Sequence, residues 1–300
     1  MYNQTKLRAP GNRTPHKIMK IAVHITSFHG ENYKERIIFL KKIIKNYQII
    51  SKKIDIFIHT NKITKIFKSK NVKLILHDLE NKNPFYLSWL CRPIMEKQKD
   101  KYDCFIYSED DILFSKKNFE YWLKYKRICL KNNQNLGFIR IEKKNGQIFS
   151  TDIIKKINYF LKIGSKIFAV NDVNPYCAFW IYDKKEFIEF TQSKFWKFKW
   201  KGKSIHAFYG IREMSAIGWH GKNMSRYKYT LIPMTKNNLN SDCYILHLTD
   251  NHALSNHPVG FGSIKKNDIT EKKLININSK KKEPIFLKFL KYKVRKFFNF

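Results

Sequence analysis

The sequence predicts an α/β protein built on a mainly parallel sheet with helices on both faces. In the first half of the chain, short β-branched runs alternate with amphipathic segments, the pattern of strands joined by crossover helices. Of the 300 residues, 43% are hydrophobic and 15% aromatic, which allows a sizeable core and excludes a globally disordered chain. Right-handed crossovers would bring a ligand to the carboxyl ends of the strands.

The elements of the first half follow one another regularly up to residue 114. Strands are predicted at 20–27, 54–60, 72–77 and 104–114, and helices at 36–47 and 85–99. The helices are indicated by apolar residues at helical spacing with lysines between them, and the second opens after Pro84. The strands are short runs rich in isoleucine and valine.

The second half of the chain is less regular. Helices are predicted at 119–130 and 184–192, and strands at 137–142, 176–182 and over the short apolar run that begins at Tyr244. A polar segment at 1–17 with two prolines is typical of a loose arm rather than a secretory signal. A lysine-rich segment from residue 263 separates the body of the protein from its apolar and basic end.

The charge of the chain is strongly unbalanced, with 59 Lys and Arg against 24 Asp and Glu, a formal net charge of +35. Such a balance indicates a polyanionic partner: nucleic acid, an anionic membrane or a phosphorylated substrate. The segment FWKFKWKGK at 195–203 could stack single-stranded nucleic acid, form a lip for an acceptor or lipid, or be a core segment fringed with lysine. Part of the charge also reflects a general excess of lysine, so the charge alone does not select among these partners.

Several classes of protein are excluded by pattern. No stretch has the roughly 18–20 uncharged apolar residues of a membrane-spanning helix. The five cysteines are widely spaced without a CxxC pair, which favours buried thiols in a reducing cytosol over a zinc site. Phosphate-binding GxxxxGK[ST], dinucleotide-binding GxGxxG and hydrolase GxSxG motifs are missing.

Three consecutive acids, Glu109, Asp110 and Asp111, lie in the predicted strand 104–114 and are the sharpest chemical signal. Because alternate side chains of a strand share a face, Glu109 and Asp111 are expected to point together and Asp110 to point away. Adjacent carboxylates repel one another, and a divalent cation with oxygen ligands relieves that repulsion. The alternative is a solvated turn or a helix N-cap cluster, positions that acids favour.

At these residues the chain resembles the GT-A glycosyltransferases, which carry a DxD-type acidic motif at the end of a strand in a nucleotide-binding α/β half. The resemblance covers residues 18–262, with Glu109-Asp110-Asp111 in place of the motif. A bacterial group with this strand shares FEYWL at 119–123, REMSA at 212–216 and HL-x-DN at 247–251. The resemblance implies a GT-A-like, Rossmann-type fold and a Mn²⁺ or Mg²⁺ ion on the diphosphate of a sugar nucleotide.

The resemblance also implies roles for single residues. A late histidine commonly completes the metal site, so His247 joins Glu109 and Asp111 as an expected metal ligand, with His252 and His257 as competitors and a core histidine as the alternative. Glu213 matches the carboxylate that takes the acceptor proton in inverting members, and it is the expected catalytic base. Its alternatives are a capping or salt-bridged glutamate, or a base at Glu142.

The nucleotide-sugar donor is expected at the exits of the first two strands. The residues expected to contact it are Thr26, Ser27, Arg36, Asn61 and Asp110. The domain layout that follows is an arm at 1–17, a GT-A-like domain at 18–262 and a tail at 263–300. Within that domain, 18–114 would be the nucleotide-binding half and 115–262 the acceptor half.

The tail from 284 to 300 predicts a helix with a basic stripe beside an apolar stripe, suited to an anionic bilayer surface. Docking on the body of the protein is the alternative. Together these features predict a glycosyltransferase in the cytoplasm, peripheral on the inner membrane face, that acts on a glycan or lipid-linked acceptor in cell-surface polysaccharide or lipopolysaccharide synthesis. A nucleic-acid-binding protein is the less favoured alternative, and a metal-dependent phosphoryl-transfer enzyme is a second; the latter would need further carboxylates, for which Asp172, Asp183 and Asp242 are the candidates.

Overall fold

The computed structural model describes residues 18–31, 33–62, 69–80, 82–132, 134–153, 156–171, 176–197, 211–215 and 230–249. The predicted arm at 1–17 and the tail at 263–300 lie outside these ranges, as do His252 and His257. None of the described helices is both long enough and apolar enough to cross a membrane.

The strands and helices are as follows, in chain order. The strands are β1 Ile21–Ser27, β2 Ile54–Thr60, β3 Val72–Leu76, β4 Cys104–Glu109, β5 Ile112–Leu113, β6 Ile139–Lys144, β7 Gln147–Ser150, β8 Phe160–Ile163, β9 Lys166–Asn171, β10 Phe179–Asp183, β11 Thr230–Thr235, β12 Asn238–Leu239 and β13 Tyr244–His247. The helices are α1 Tyr33–Ile50, α2 Leu87–Leu90, α3 Arg92–Lys97, α4 Lys116–Lys131, α5 Lys184–Gln192, α6 Lys194–Lys197 and α7 Ile211–Ser215.

The main sheet has the strand order β10-β4-β1-β2-β3 within the described residues. Strands β1 to β4 run parallel, and β10 joins the β4 edge antiparallel. All residues of β1 and β4 are buried, as expected of parallel strands that are covered on both faces. The predicted α/β class with a parallel sheet is therefore confirmed.

Helical segments pack on the face of the sheet that carries His24 and Phe105. The ring of Phe105 stacks on Phe187 of α5 at 4.1 Å between centroids, and His24 Nε2 lies 3.0 Å from Oε1 of Gln98, just after α3. On the opposite face, Ile21 and Ile25 are completely buried as well. Both faces of the central strands are thus removed from solvent.

Two further sheets were not predicted. Strands β12-β11-β9-β8 form an antiparallel sheet, and β5-β13-β6-β7 form a mixed one. The expectation of one mainly parallel sheet is corrected accordingly: the parallel part is confined to β1–β4 and the β6–β13 pair, with a single parallel bridge between Leu136 and Leu231. Strand β10 lies beside β4, and β5 lies beside β13, so the two predicted halves, 18–114 and 115–262, contribute to the same sheets.

Three predicted elements are interrupted for identifiable reasons. The strand predicted at 104–114 stops at Glu109, and the chain turns at Asp110 and Asp111 before β5. The helix predicted at 85–99 is divided before Pro93, which has no N–H to continue the helical hydrogen bonding. The strand predicted at 176–182 begins only at Phe179, because Ala178 has a positive φ of 56° that extended backbone does not allow.

The aromatic and basic segment at 195–203 is described only as far as Lys197. Trp196 is buried there, with its ring against Phe187 and Phe190 and its Nε1 donating to Oε2 of Glu96 at 2.8 Å. This tryptophan belongs to the core, which favours the core interpretation of the segment over a stacking platform for nucleic acid.

Three histidines form a hydrogen-bonded row across β1, β2 and the end of β3. Nδ1 of His24 lies 2.9 Å from Nε2 of His59, and Nδ1 of His59 lies 2.8 Å from Nε2 of His77. The rings are stacked, with centroids 5.1–5.2 Å apart. Burial lowers the pKa of His24 to about 3 and also lowers the pKa values of His59 and His77. The row is therefore held in its neutral form at physiological pH.

Candidate active site at the ends of β1 and β4

The candidate site lies where the order of the main sheet reverses. From β1 the chain builds outward to β2 and β3, and it then returns to add β4 on the other side of β1. Thr26 and Glu109 are partners at the carboxyl ends of the two neighbouring strands β1 and β4. A crevice opens at such a switch point because the two connections leave in opposite directions, and ligands of open α/β sheets bind there.

A pocket of about 650 Å³ occupies this position. It is lined by the acidic cluster, by two arginines and by the ends of β1 and α2: Thr26, Phe28, Gly30, Glu31, Arg36, Pro84, Phe85, Leu87, Ser88, Tyr107, Glu109, Asp110, Asp111 and Arg212. Two of the lining rings, Phe28 and Phe85, are 38% and 44% exposed. Its volume falls within the usual range of small-molecule sites, and it combines apolar rings with charged groups.

All three acids of the cluster are buried, each with 6–7% exposure. Because β4 ends at Glu109, the alternation of a strand does not extend to Asp110 and Asp111. Nη1 of Arg36 lies 2.8 Å from Oδ1 of Asp110 and 2.7 Å from Oδ2 of Asp111, so the two aspartates converge on one guanidinium. The expectation that Asp110 points away from Asp111 is therefore wrong.

Asp110 is tied to the end of β1. Oγ of Ser27 donates to its Oδ2 at 2.7 Å. Burial and the neighbouring charge of Asp111 raise the pKa of Asp110 to about 7, against the opposite effect of Arg36 and Ser27. The adjacent Asp111 has a lowered pKa, because hydrogen bonding and charge from His247 and Arg36 outweigh the effect of burial. Of the two aspartates, Asp111 is the one that stays charged.

One oxygen of Asp111 has no partner among the residues that the structure describes. Its Oδ2 contacts Arg36 and lies 3.4 Å from Nε2 of His247, while its Oδ1 is buried without a hydrogen bond among the described residues. A buried and unpaired carboxylate oxygen is costly, and such a group calls for an explanation. A cation bound during function would supply the missing partner.

His247 ends β13 beside Asp111, as the sequence predicts. Its Nδ1 lies 2.5 Å from Oε1 of Glu142, a completely buried residue of β6, and Oγ1 of Thr249 lies 2.8 Å from its Nε2. Although burial opposes the charged form, the hydrogen bonds to Asp111 and Glu142 raise the pKa of His247. A carboxylate behind one ring nitrogen is the usual support of a metal-binding histidine, since it fixes the ring and its tautomer.

Glu109 faces a different set of partners. The hydroxyl of Tyr176 donates to its Oε1 at 2.6 Å, and Nη1 of Arg212 donates to its Oε2 at 2.8 Å. Both of its carboxylate oxygens are therefore bonded to protein groups. Of the three expected metal ligands, the structure brings Asp111 and His247 together, and it directs Glu109 toward α7.

Arg212 reaches Glu109 from the short helix α7. Its guanidinium carbon lies 4.2 Å from the centre of the Phe85 ring, a cation–π contact. The helix is held against α2 and α3 by Nε1 of Trp89, which donates to the carbonyl of Ile211 at 2.9 Å, and by Arg92, which donates to the carbonyl of Ser215. Glu213, the expected base, is the next residue of α7, and its side chain lies outside the described part of the structure.

The expected donor-binding residues fall into two groups. Thr26 and Arg36 line the pocket, and Ser27 bonds Asp110 at its edge. Asn61 is not among the lining residues of this pocket: its Oδ1 accepts from the backbone N–H of His29 at 2.8 Å and links the ends of β1 and β2. Among the candidates for a phosphoryl-transfer site, Asp183 caps α5 and is paired with Lys126, and Asp172 lies outside the described ranges.

The donor set fits a Mn²⁺ or Mg²⁺ ion only with help from a ligand. Within the described residues, no group of three His, Cys, Asp or Glu side chains is arranged to hold a metal. Mg²⁺, however, is usually bound by one or two carboxylates together with substrate phosphates rather than by a cage of protein ligands. The open oxygen of Asp111 and the supported imidazole of His247 fit that mode of binding.

Sequence reasoning missed the role of Arg212 and the support that Tyr176 and Glu142 give to the site. Tyr176 lies in a segment for which a strand is predicted, and Glu142 enters the sequence analysis only as an alternative base. Their partners are distant along the chain: 103 positions separate Arg212 from Glu109, and 105 separate His247 from Glu142. No local pattern reports such pairs, so the fold was needed to find them.

Comparisons with known proteins add little. No family model and no curated protein matches the chain. Among solved structures, the apo form of the glycosyltransferase GlyE from Streptococcus pneumoniae TIGR4 matches with a TM-score of 0.34 and 9% sequence identity. The match covers 70% of this chain and 46% of that one, so the chain spans about half the length of that structure. At this level the likeness assigns neither a family nor an activity.

Proposed function

We propose that this protein is a metal-dependent glycosyltransferase that moves a sugar from a nucleotide-sugar donor to a glycan or lipid-linked acceptor. The observation that carries the proposal is the buried acidic turn at the switch point of the sheet, where an oxygen of Asp111 beside His247 has no partner in the described part of the chain. The resemblance of the acidic motif and its position to those of GT-A enzymes supports the same conclusion.

Asp111 and His247 would hold a Mn²⁺ or Mg²⁺ ion, with Glu142 orienting the imidazole. When bound, the ion would supply a Lewis acid that neutralises the departing nucleoside diphosphate. Glu109 remains a predicted ligand, and Tyr176 and Arg212 would have to release it for that role.

The two arginines of the pocket suit the charge of the donor. Arg36 and Arg212 line the pocket with guanidinium groups, which bind phosphate oxygens through several parallel hydrogen bonds. Phe28 and Phe85 offer exposed rings on the same pocket for the apolar faces of the donor. Thr26 and Asp110 line the pocket beside β1, where they would fix the position of the nucleotide, and Ser27 holds Asp110 in place.

In the transfer, an oxygen of the acceptor hydroxyl bonds to the anomeric carbon of the donor. The bond from that carbon to the diphosphate oxygen breaks, and its electron pair leaves with the diphosphate. If the configuration inverts, the hydroxyl proton passes to Glu213, the residue next to Arg212 on α7. If the configuration is retained, Glu213 has no such role.

Equilibrium binding of sugar nucleotides, measured with and without Mn²⁺, tests the proposal. We expect at least one uridine-, guanosine-, cytidine- or thymidine-diphosphate sugar to bind more tightly with Mn²⁺, and to be slowly hydrolysed when no acceptor is present. Mannose-6-phosphate, which lacks the nucleotide, serves as the control and should not bind. Failure of every sugar nucleotide to bind in the presence of Mn²⁺ would reject the proposal.

The basic tail gives a separate proposal about location. We expect residues 284–300 to hold the protein on anionic bilayers at the inner face of the membrane, because each basic residue near such a surface contributes about 1 kcal/mol. Deletion of 284–300 should abolish co-sedimentation with vesicles of phosphatidylglycerol and phosphatidylcholine at physiological salt. Vesicles of phosphatidylcholine alone are the control, and unchanged binding to the anionic vesicles after the deletion would contradict the proposal.

A further inference from the structure

The guanidinium of Arg36 lies against the two aspartates of the acidic turn, next to the position proposed for a bound cation. Its Nη1 bridges Asp110 and Asp111 at 2.8 and 2.7 Å, and it shares Oδ2 of Asp111 with His247. The carboxylates of Asp110 and Asp111 share the guanidinium of Arg36, and the carboxylate of Glu109 is paired with Arg212. The two arginines are therefore internal counter-ions of the acidic cluster.

The side chain of Arg36 can leave this position without disturbing the core. It starts from the first turn of α1, lines the pocket and keeps 31% of its side-chain surface exposed, whereas the aspartate side chains are 8–9% exposed. Asp110 would keep the hydrogen bond from Ser27 after such a movement. The aspartates of the acidic turn are the more buried partners and Arg36 is the more exposed one, so the arginine is the member of the pair that we expect to move.

We propose that Arg36 is a displaceable internal counter-ion that competes with the divalent metal for Asp111 and passes to the diphosphate of the donor when both are bound. This inference rests on the proposed function. A divalent ion on Oδ1 of Asp111 would be repelled by the guanidinium that Arg36 holds on Oδ2, so metal binding is weak while Arg36 stays on Asp111 and is favoured by its departure. The diphosphate then gives the displaced guanidinium a new anionic partner.

The consequence is a positive coupling between the metal and the nucleotide. Without nucleotide, the metal either binds against the charge of Arg36 or displaces it with no new anion for the arginine, so it binds weakly. With nucleotide present, the metal and Arg36 both have anionic partners. The metal and the nucleotide then raise the affinity of the protein for one another by the same factor. Arg36 would thus restrict metal loading to the donor complex.

Mn²⁺ binding followed by electron paramagnetic resonance and calorimetry tests this inference in the absence of nucleotide. Arg36→Gln is expected to bind Mn²⁺ about tenfold more tightly than the wild type, an effect within the usual range of coupling between sites. Arg36→Lys keeps the charge and should bind as weakly as the wild type. Arg127→Gln removes the same charge from an exposed position on α4 and is the matched control, expected to be unchanged.

The second arm adds a nucleoside diphosphate, UDP or GDP. The wild type should bind Mn²⁺ more tightly when the nucleotide is present, and Arg36→Gln should lose most of that gain. Melting curves check the fold: Arg36→Gln should melt at a lower temperature than the wild type without metal, and Mn²⁺ should recover the difference.

Two failures are distinguishable. Mn²⁺ binding that depends on Asp111 but is no tighter in Arg36→Gln would overturn the inference and leave the proposed function standing. Failure of the wild type to bind Mn²⁺ even with either nucleotide, together with failure of Arg36→Gln to bind it alone, would overturn both.

Discussion

Replacement of Asp111 by asparagine is expected to lower the rate of sugar transfer by about 10²–10³-fold, the range found when one preorganised electrostatic group of an active site is removed. Asparagine has nearly the same shape but no charge, and Asp111 is the aspartate of the turn whose pKa is lowered. Mn²⁺ binding should fall with the activity, because the variant lacks the charged oxygen that would face the ion. Initial rates of donor hydrolysis and calorimetric titration with Mn²⁺ measure the two effects.

The matched control is Asp100→Asn, which makes the same chemical change at a side chain that is 71% exposed. It should leave both the rate and the Mn²⁺ affinity unchanged. If Asp111→Asn keeps wild-type transfer while remaining folded, the acidic turn is not part of the catalytic site and the proposed metal position is wrong.

The row of buried histidines is expected to make stability depend on pH. The pKa of His24 is about 3 in the folded protein, against about 6.5 in an unfolded chain. Below pH 6.5 the imidazole of His24 binds a proton in the unfolded chain but not in the folded protein. The free energy of unfolding therefore falls by about 1.4 kcal/mol per pH unit. The stability that His24 contributes is thus complete above pH 6.5 and is progressively lost on acidification.

His24→Gln tests this dependence, since glutamine retains hydrogen-bonding groups but does not titrate. Between pH 6.5 and 4.5, the wild type should lose about 2 kcal/mol of unfolding free energy relative to the variant. Asp110 and Glu186, whose pKa values are raised to about 7, bind protons in the folded state and act in the opposite direction. They are present in both proteins, so the difference reports the titration of His24 together with its effect on the pKa of His59, which His24 helps to lower.

Urea unfolding at a series of pH values provides the measurement. Parallel curves of stability against pH for the wild type and His24→Gln would contradict the assignment of a neutral, proton-excluding histidine row.

Sequence patterns predicted the strands of the parallel sheet but not the two further sheets that the described residues form. Strand β2 was predicted at its observed bounds, because a run such as IDIFIHT suits a strand that is buried on both faces. Of the strands that follow, β6 was predicted at 137–142, but the short strands β7, β8 and β9 were not. One signal was present and unused: Asn145-Gly146, with φ of 49° and 71°, is the two-residue hairpin turn between β6 and β7.

The same contrast holds for the site. The acidic triplet and His247 were found from their place at strand ends, and the structure brings Asp111 and His247 together. The alternation that separated Asp110 from Asp111 failed because strand geometry stops where the chain turns.

The placement of β13 has a consequence for how the protein acquires its site during synthesis. The acidic turn joins β4 of the main sheet to β5 of the mixed sheet, and β5 is held there by β13, which lies between it and β6. A nascent chain that lacks residues 244–247 already contains the three carboxylates of the acidic turn. It lacks β13, which closes the mixed sheet, and the imidazole of His247 at the end of that strand. Contacts of such large sequence separation form late and slow folding. The strand that closes the mixed sheet is therefore also the one that would complete the proposed metal site.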